Sequence, residues 1–138
     1  MELSGKVAIF LLRFITHGWP DEQLLEILKH LRAAASPATK LLIVDPIVPY
    51  TCPILEPSST PGGAIPGGIL PPPPSPLVNL GQANTTVYFA DIEMFNIFGA
   101  QERTIGEFVA LAGEAGWMIV KVYRPTGSEL QQIECECI

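Results

Sequence analysis

Long apolar runs are missing from this chain. None approaches the roughly 20 consecutive apolar residues that a bilayer crossing needs. The polar lead-in Met1 to Lys6 lacks the apolar core of a secretion signal and reads as a genuine start, so a cytoplasmic protein without a membrane partner is expected. Basic residues are scarce as well: 8 Lys and Arg stand against 14 Asp and Glu, for a net charge of -6. They are scattered singly, which excludes the basic face that nucleic acid requires. Cysteines number three and histidines two. That odd count predicts no disulfide framework. Cys135 and Cys137 share one strand face, but His17 and His30 lack ligand spacing with them, so small buried hydrophobes are expected and no metal. Proline is the opposite case, with 14 residues in all. The chain has 138 residues and is 48% hydrophobic, enough for a core, so one domain over 1–138 is expected.

Val7-Ala8-Ile9-Phe10-Leu11-Leu12 is the continuous apolar run of a strand buried on both faces. Pro20 suits a first helical position, and Asp21 and Glu22 complement the positive end of the helix dipole. From Asp21 to Ala35, Leu24, Ile27, Leu28 and Leu31 follow the i, i+3, i+4, i+7 spacing of a helix with one buried stripe, which Ser36-Pro37 ends. Lys40 to Asp45 is a second apolar strand closing on a carboxylate. Strand, helix and strand make a right-handed parallel unit that brings His17 and Asp45 to the same sheet edge. Residues 46–76 hold eleven of the prolines and read as a long extended surface loop. Its glycines, 62, 63, 67 and 68, make no phosphate cradle, since they follow no strand and lack a lysine.

Asn84 to Phe98 reads as a helix whose Phe89, Ile92, Met94, Phe95 and Phe98 form a wide apolar surface, more often core than pocket, closed by Gly99. Thr104-Ile105-Gly106-Glu107 matches a capping box, followed by a buried face of Phe108, Leu111, Ala112 and Ala115. Trp117 to Tyr123 and Leu130 to Ile138 complete the set as two strands of a hairpin.

A histidine is the natural general base near neutral pH when carboxylates orient its ring. Asp45 is placed to be one of these. Glu102, just before a helix start, is a candidate for a second. Spacing alone equally allows His17 to be a helix-start histidine satisfied by a local carbonyl, and Glu102 to be a solvated dipole partner.

The run from Arg13 to Glu22 (Arg-Phe-Ile-Thr-His-Gly-Trp-Pro-Asp-Glu), with Leu41-Leu42-Ile43-Val44-Asp45 and Gln101-Glu102-Arg103-Thr104, resembles the C-terminal half of the S-adenosylmethionine-dependent O-methyltransferases of the plant caffeic-acid and fungal type. The likeness covers nearly all of the chain from Val7 onward. It implies a partial Rossmann-like α/β methyltransferase fold of about four strands, three parallel and the last antiparallel, in the spatial order first, second, fourth, third, with helices on the faces. It implies methyl transfer to a phenolic hydroxyl, with His17 as base, Asp45 and Glu102 as its acids, and Arg13 near the cofactor. It also implies Asp91, Met94, Phe95 and Phe98 in the wall of a pocket for a small aromatic molecule.

Two departures are visible. The family's Asp after the histidine is Gly18 here, and no strand with a glycine-rich cofactor turn precedes this region. The expectation is therefore an acceptor and base half that is weak or inactive alone, or a non-catalytic binding or self-assembly module. A first strand that is central in the complete fold would here present a bare edge over Val7 to Leu12, which predicts homo-oligomers through that edge.

Overall fold

In the computed structural model, which describes residues 7–50, 54, 56–70 and 85–138, the chain builds one four-stranded sheet and three α-helices. Strand β1 (Ile9–Arg13) leads through a single 3-10 turn (Thr16–Gly18) into helix α1 (Asp21–Ala34), and β2 (Lys40–Asp45) returns parallel to β1. Helix α2 (Thr85–Phe98) and helix α3 (Ile105–Glu114) precede β3 (Trp117–Tyr123) and β4 (Gln131–Cys137). The sheet order is β1-β2-β4-β3, with β4 antiparallel to both neighbours, so β1, β2 and β3 run the same way. This is the expected mixed α/β architecture. Pro20 sits at the N-cap of α1, one position ahead of its expected place.

One face of the sheet carries the core. Leu24 and Leu28 of α1 and Phe108, Leu111 and Ala112 of α3 pack on Leu41, Ile43, Trp117, Ile119, Val122, Ile133 and Cys135. A register shift between Ile119 and Lys121 lets Val122 turn inward along with Trp117 and Ile119, although strict alternation would send it outward. The Thr104–Glu107 capping box forms as expected, and Gly99 ends α2 with φ +63°. Burial pushes the Cys135 thiol up to about 12, making it an inert core group. Cys137 donates weakly to the carbonyls of Ser36 and Thr39. Cys52 lies outside the described residues. No metal-binding cluster and no membrane-length apolar helix occur among the described residues.

Three expectations need correction. First, β1 is buried on one face only: Phe10 and Leu12 pack on the core, while Ile9 and Leu11 are 58% and 59% exposed. An apolar run specifies two apolar faces, but among the described residues the helices α1 and α3 cover one of them. Second, the apolar surface of α2 is not core. No residue of α2 is buried, and Phe89, Ile92, Phe95 and Phe98 are all more than half exposed, because α2 packs chiefly on the 3-10 turn. Third, the proline-rich segment is no extended surface loop over 56–70. It folds into a 3-10 turn (Pro57–Ser59) and further turns that pack Ile65 and Ile69 on the core. There Pro66 accepts from the Val122 N–H at 2.9 Å, and the half-buried Arg124 donates to the carbonyls of Gly67 and Gly68. At Gly67, with φ +75°, a Cβ would stand 2.1 Å from the Val122 carbonyl oxygen, so glycine is required for this approach. Pro71 to Pro74 and Asn84 lie outside the described residues.

Candidate active site

The site is assembled where β1 and β2 end together. β1 terminates at Arg13, and Phe14 adopts φ +54°, a left-handed conformation that costs a bulky residue energy and turns the chain sharply upward. The Phe14 N–H is tied to the Val44 carbonyl at 3.2 Å. Contacts made by Thr16 hold the strain in place. The Thr16 N–H donates to Asp45 Oδ2 at 2.9 Å and the Thr16 hydroxyl donates to the same oxygen, fixing the 3-10 turn to the end of β2.

His17 sits on that turn, its ring centroid 5.5 Å from that of Phe14. Nδ1 of His17 lies 2.8 Å from Glu102 Oε1, and the Glu102 side chain is 2% exposed. With Nδ1–H donating to the carboxylate, Nε2 keeps its lone pair. The Glu102 N–H in turn donates to Asp91 at 2.8 Å, so the segment carrying the acid is fastened to α2. Burial pushes the Glu102 carboxyl above the usual carboxylate range, the His17 hydrogen bond opposing it. Asp45 is also raised by burial, against the two bonds from Thr16. Oδ1 of Asp45 and Oε2 of Glu102 are buried without a hydrogen-bond partner among the described residues. Two buried carboxyls with spare acceptor capacity therefore stand at the turn that carries the imidazole, one bonded to the ring and one to Thr16.

Beside this group lies an open groove of about 550 Å³ lined by Phe14, Ile15, Gly18, Trp19, Pro20, Gln23 and Phe98. It is mostly apolar, which suits a flat aromatic molecule; His17 is not among its lining residues, and Phe14, whose ring centroid is 5.5 Å from that of His17, stands between the two. A Cβ at Gly18 would meet nothing within 4 Å, so its missing side chain widens the groove.

The structure therefore brings His17 and Glu102 into direct contact. It brings Asp45 close but bonds it to Thr16, not to the ring, because the turn backbone intervenes. Of the residues expected in a pocket wall, Phe98 lines the groove. Asp91 accepts from Glu102, Met94 is half-buried, and Phe95, 69% exposed, is not among the lining residues. Arg13 is exposed, with its guanidinium 4.8 Å from the Phe14 ring centre. Sequence reasoning missed Thr16 and Arg103. The Arg103 side chain is wholly buried and donates to the Thr16 and Trp19 carbonyls and to Asp21. The pairing of a cation with Asp21, 82 positions away, leaves no local signal.

No family model matches the chain. Among curated proteins it is 42% identical over 131 residues to 4-O-methyltransferase 1 of Phanerochaete chrysosporium, a match covering 92% of this chain and 27% of that protein. It is 36% identical over 122 residues to an O-methyltransferase of Armillaria gallica, covering 88% and 25%. Among solved structures, the O-methyltransferase NcsB1 from neocarzinostatin biosynthesis, in complex with S-adenosylmethionine and 2-hydroxy-5-methyl naphthoic acid, superposes with a TM-score of 0.64 at 17% identity, over 95% of this chain and 29% of that one. The chain thus spans about a quarter of the length of the curated relatives it matches.

Proposed function

We propose, starting from this chain's kinship with the O-methyltransferases, that it carries the acceptor and general-base side of methyl transfer to a phenolic hydroxyl. The observation that supports this most directly is the 2.8 Å contact of His17 Nδ1 with a buried Glu102, which leaves Nε2 free to take a proton. A phenol held in the apolar groove gives its hydroxyl proton to His17 Nε2. The phenolate oxygen then forms a bond to an incoming methyl group while the bond from that methyl to its donor breaks. Glu102 stabilises the imidazolium by direct hydrogen bonding, and Asp45 does so through its field. S-adenosylmethionine would supply the methyl group, as an electrophile on sulfur. Neither strand end carries a glycine-rich turn for its nucleoside: β1 ends in the Phe14 turn and β2 in Asp45-Pro46, and the exposed Arg13 lies with its guanidinium 4.8 Å from the Phe14 ring centre.

The reading is tested by titrating the isotope-labelled chain with a simple phenol and, separately, by calorimetry with S-adenosylmethionine. A phenol that shifts the His17 ring signals and leaves those of the exposed His30 alone supports it. Heat on adding the cofactor together with methyl ether formation would make the chain active by itself. A His17 signal indifferent to millimolar phenol overturns the reading.

A second property arises from β1. Among the described residues no strand pairs with its outer edge, which lies beside exposed Ile9 and Leu11, whereas part of the β3 edge is covered by residues 66–68. We propose that two copies associate by pairing β1 edges. The chain is then expected to sediment as a dimer at micromolar concentration and Leu11→Lys as a monomer; a wild-type monomer disproves it.

A further inference from the structure

We infer that Arg103 is a positioning residue, whose guanidinium fixes the backbone on both sides of His17 and so decides where the imidazole stands. This rests on the reading of His17 as the base. Nη1 donates to the Thr16 carbonyl at 2.6 Å, one residue before the histidine. Nη2 donates to the Trp19 carbonyl at 2.8 Å, two residues after it, and to Asp21 Oδ1 at 2.6 Å. Nε donates to the same Asp21 oxygen at 3.0 Å. The turn needs such a clamp. It is a single 3-10 turn with no side-chain cap, it comes after a strained Phe14, and Gly18 adds backbone freedom beside the catalytic group.

The clamp is itself anchored. Arg103 pairs with Ile47 in an isolated parallel bridge, and its carbonyl accepts from the Val48 N–H at 2.9 Å. It is therefore fixed to the chain just beyond Asp45, the residue that holds Thr16. Glu102, the partner of His17, is its immediate neighbour. Ring partner and backbone clamp thus come from consecutive residues, so the His17–Glu102 distance is set by one short rigid segment. Lysine cannot replace this arrangement, because one ammonium cannot address two carbonyls and a carboxylate from the separate edges of a planar fork.

The test uses the full chain labelled at histidine, with the His17 signals assigned by His17→Gln. In the wild type an Nδ1–H resonance from the Glu102 hydrogen bond is expected. In Arg103→Lys that resonance should broaden away and the His17 ring signals should move toward those of His30, whose ring is exposed. Val122→Ala, a core change away from the turn, is expected to lower the melting temperature while leaving the His17 resonance in place. Where turnover is measured, Arg103→Lys should lower kcat roughly 10- to 100-fold with KM within twofold. If Arg103→Lys does not fold, Asp21→Asn carries the test, because Asp21 is half exposed and its loss leaves both carbonyl bonds; a partial broadening of the same resonance is expected. An unchanged His17 resonance in the variant that folds assigns Arg103 a purely structural role and overturns the inference. Since this readout needs neither phenol nor methyl donor, it stands or falls separately from the reading of the function.

Discussion

His17→Ala is expected to lower stability far more at pH 8 than at pH 4, while Glu102→Gln flattens the same profile. The Glu102 carboxyl is raised in the folded state, chiefly by burial. An acid shifted upward contributes stability that is fully present below its unfolded value and is lost as pH rises through its folded value. The His17 hydrogen bond limits that loss. Removing the imidazole leaves both Glu102 oxygens buried and unpaired, because Oε2 already lacks a partner among the described residues. The cost is about 1–3 kcal/mol once the group must ionise. In Glu102→Gln the buried charge is gone, yet the amide oxygen still accepts from Nδ1–H, so the ring stays in place and the alkaline loss disappears. Thermal melts across pH 4 to 8 check both variants; parallel profiles for wild type and His17→Ala would contradict the contact as the source of the pH dependence. Where methyl transfer is measured, His17→Ala should lower turnover by roughly 10²- to 10⁴-fold. Glu102→Gln should lower turnover less, by withdrawing the charge that stabilises the imidazolium.

Trp117→Ala is expected to cost about 3–5 kcal/mol, lowering the melting temperature by roughly 10–20 °C. Trp117 is fully buried, and its indole Nε1–H donates to the Leu28 carbonyl at 3.1 Å. It joins the first residue of β3 to the middle of α1, and the first turn of α1 bears Asp21, which grips Arg103. The loss of the indole therefore loosens both the core and the helix that braces the His17 turn. Trp117→Phe keeps most of the apolar area and should lose less than half as much. Circular-dichroism melts decide it, and a drop under a few degrees for the alanine variant would show that the core collapses around the gap.

The strands of this protein are legible in order because each apolar segment is separated from the next by a helix signal or a turn, and a parallel β1–α1–β2 unit admits one hand. Capping is legible too: Thr104 and Glu107 act on groups three residues apart. The surfaces of β1 and α2 are not. An apolar side chain carries no label saying whether a partner layer is present, so Ile9, Leu11, Phe89 and Phe95 read as core and stand in solvent.

By itself the sequence determined the element order, the placing of His17 and Asp45 at one sheet rim, and the resemblance that singled out Glu102, since these depend on local periodicity, chain connectivity and motif. Tertiary structure alone decided that Glu102 touches the ring while Asp45 holds Thr16, and that Arg103 clamps the turn. Hydrogen bonds between groups 29 to 87 residues apart depend on ångström-scale packing of α1, α2 and the segment before α3, which no spacing of residues along a chain encodes.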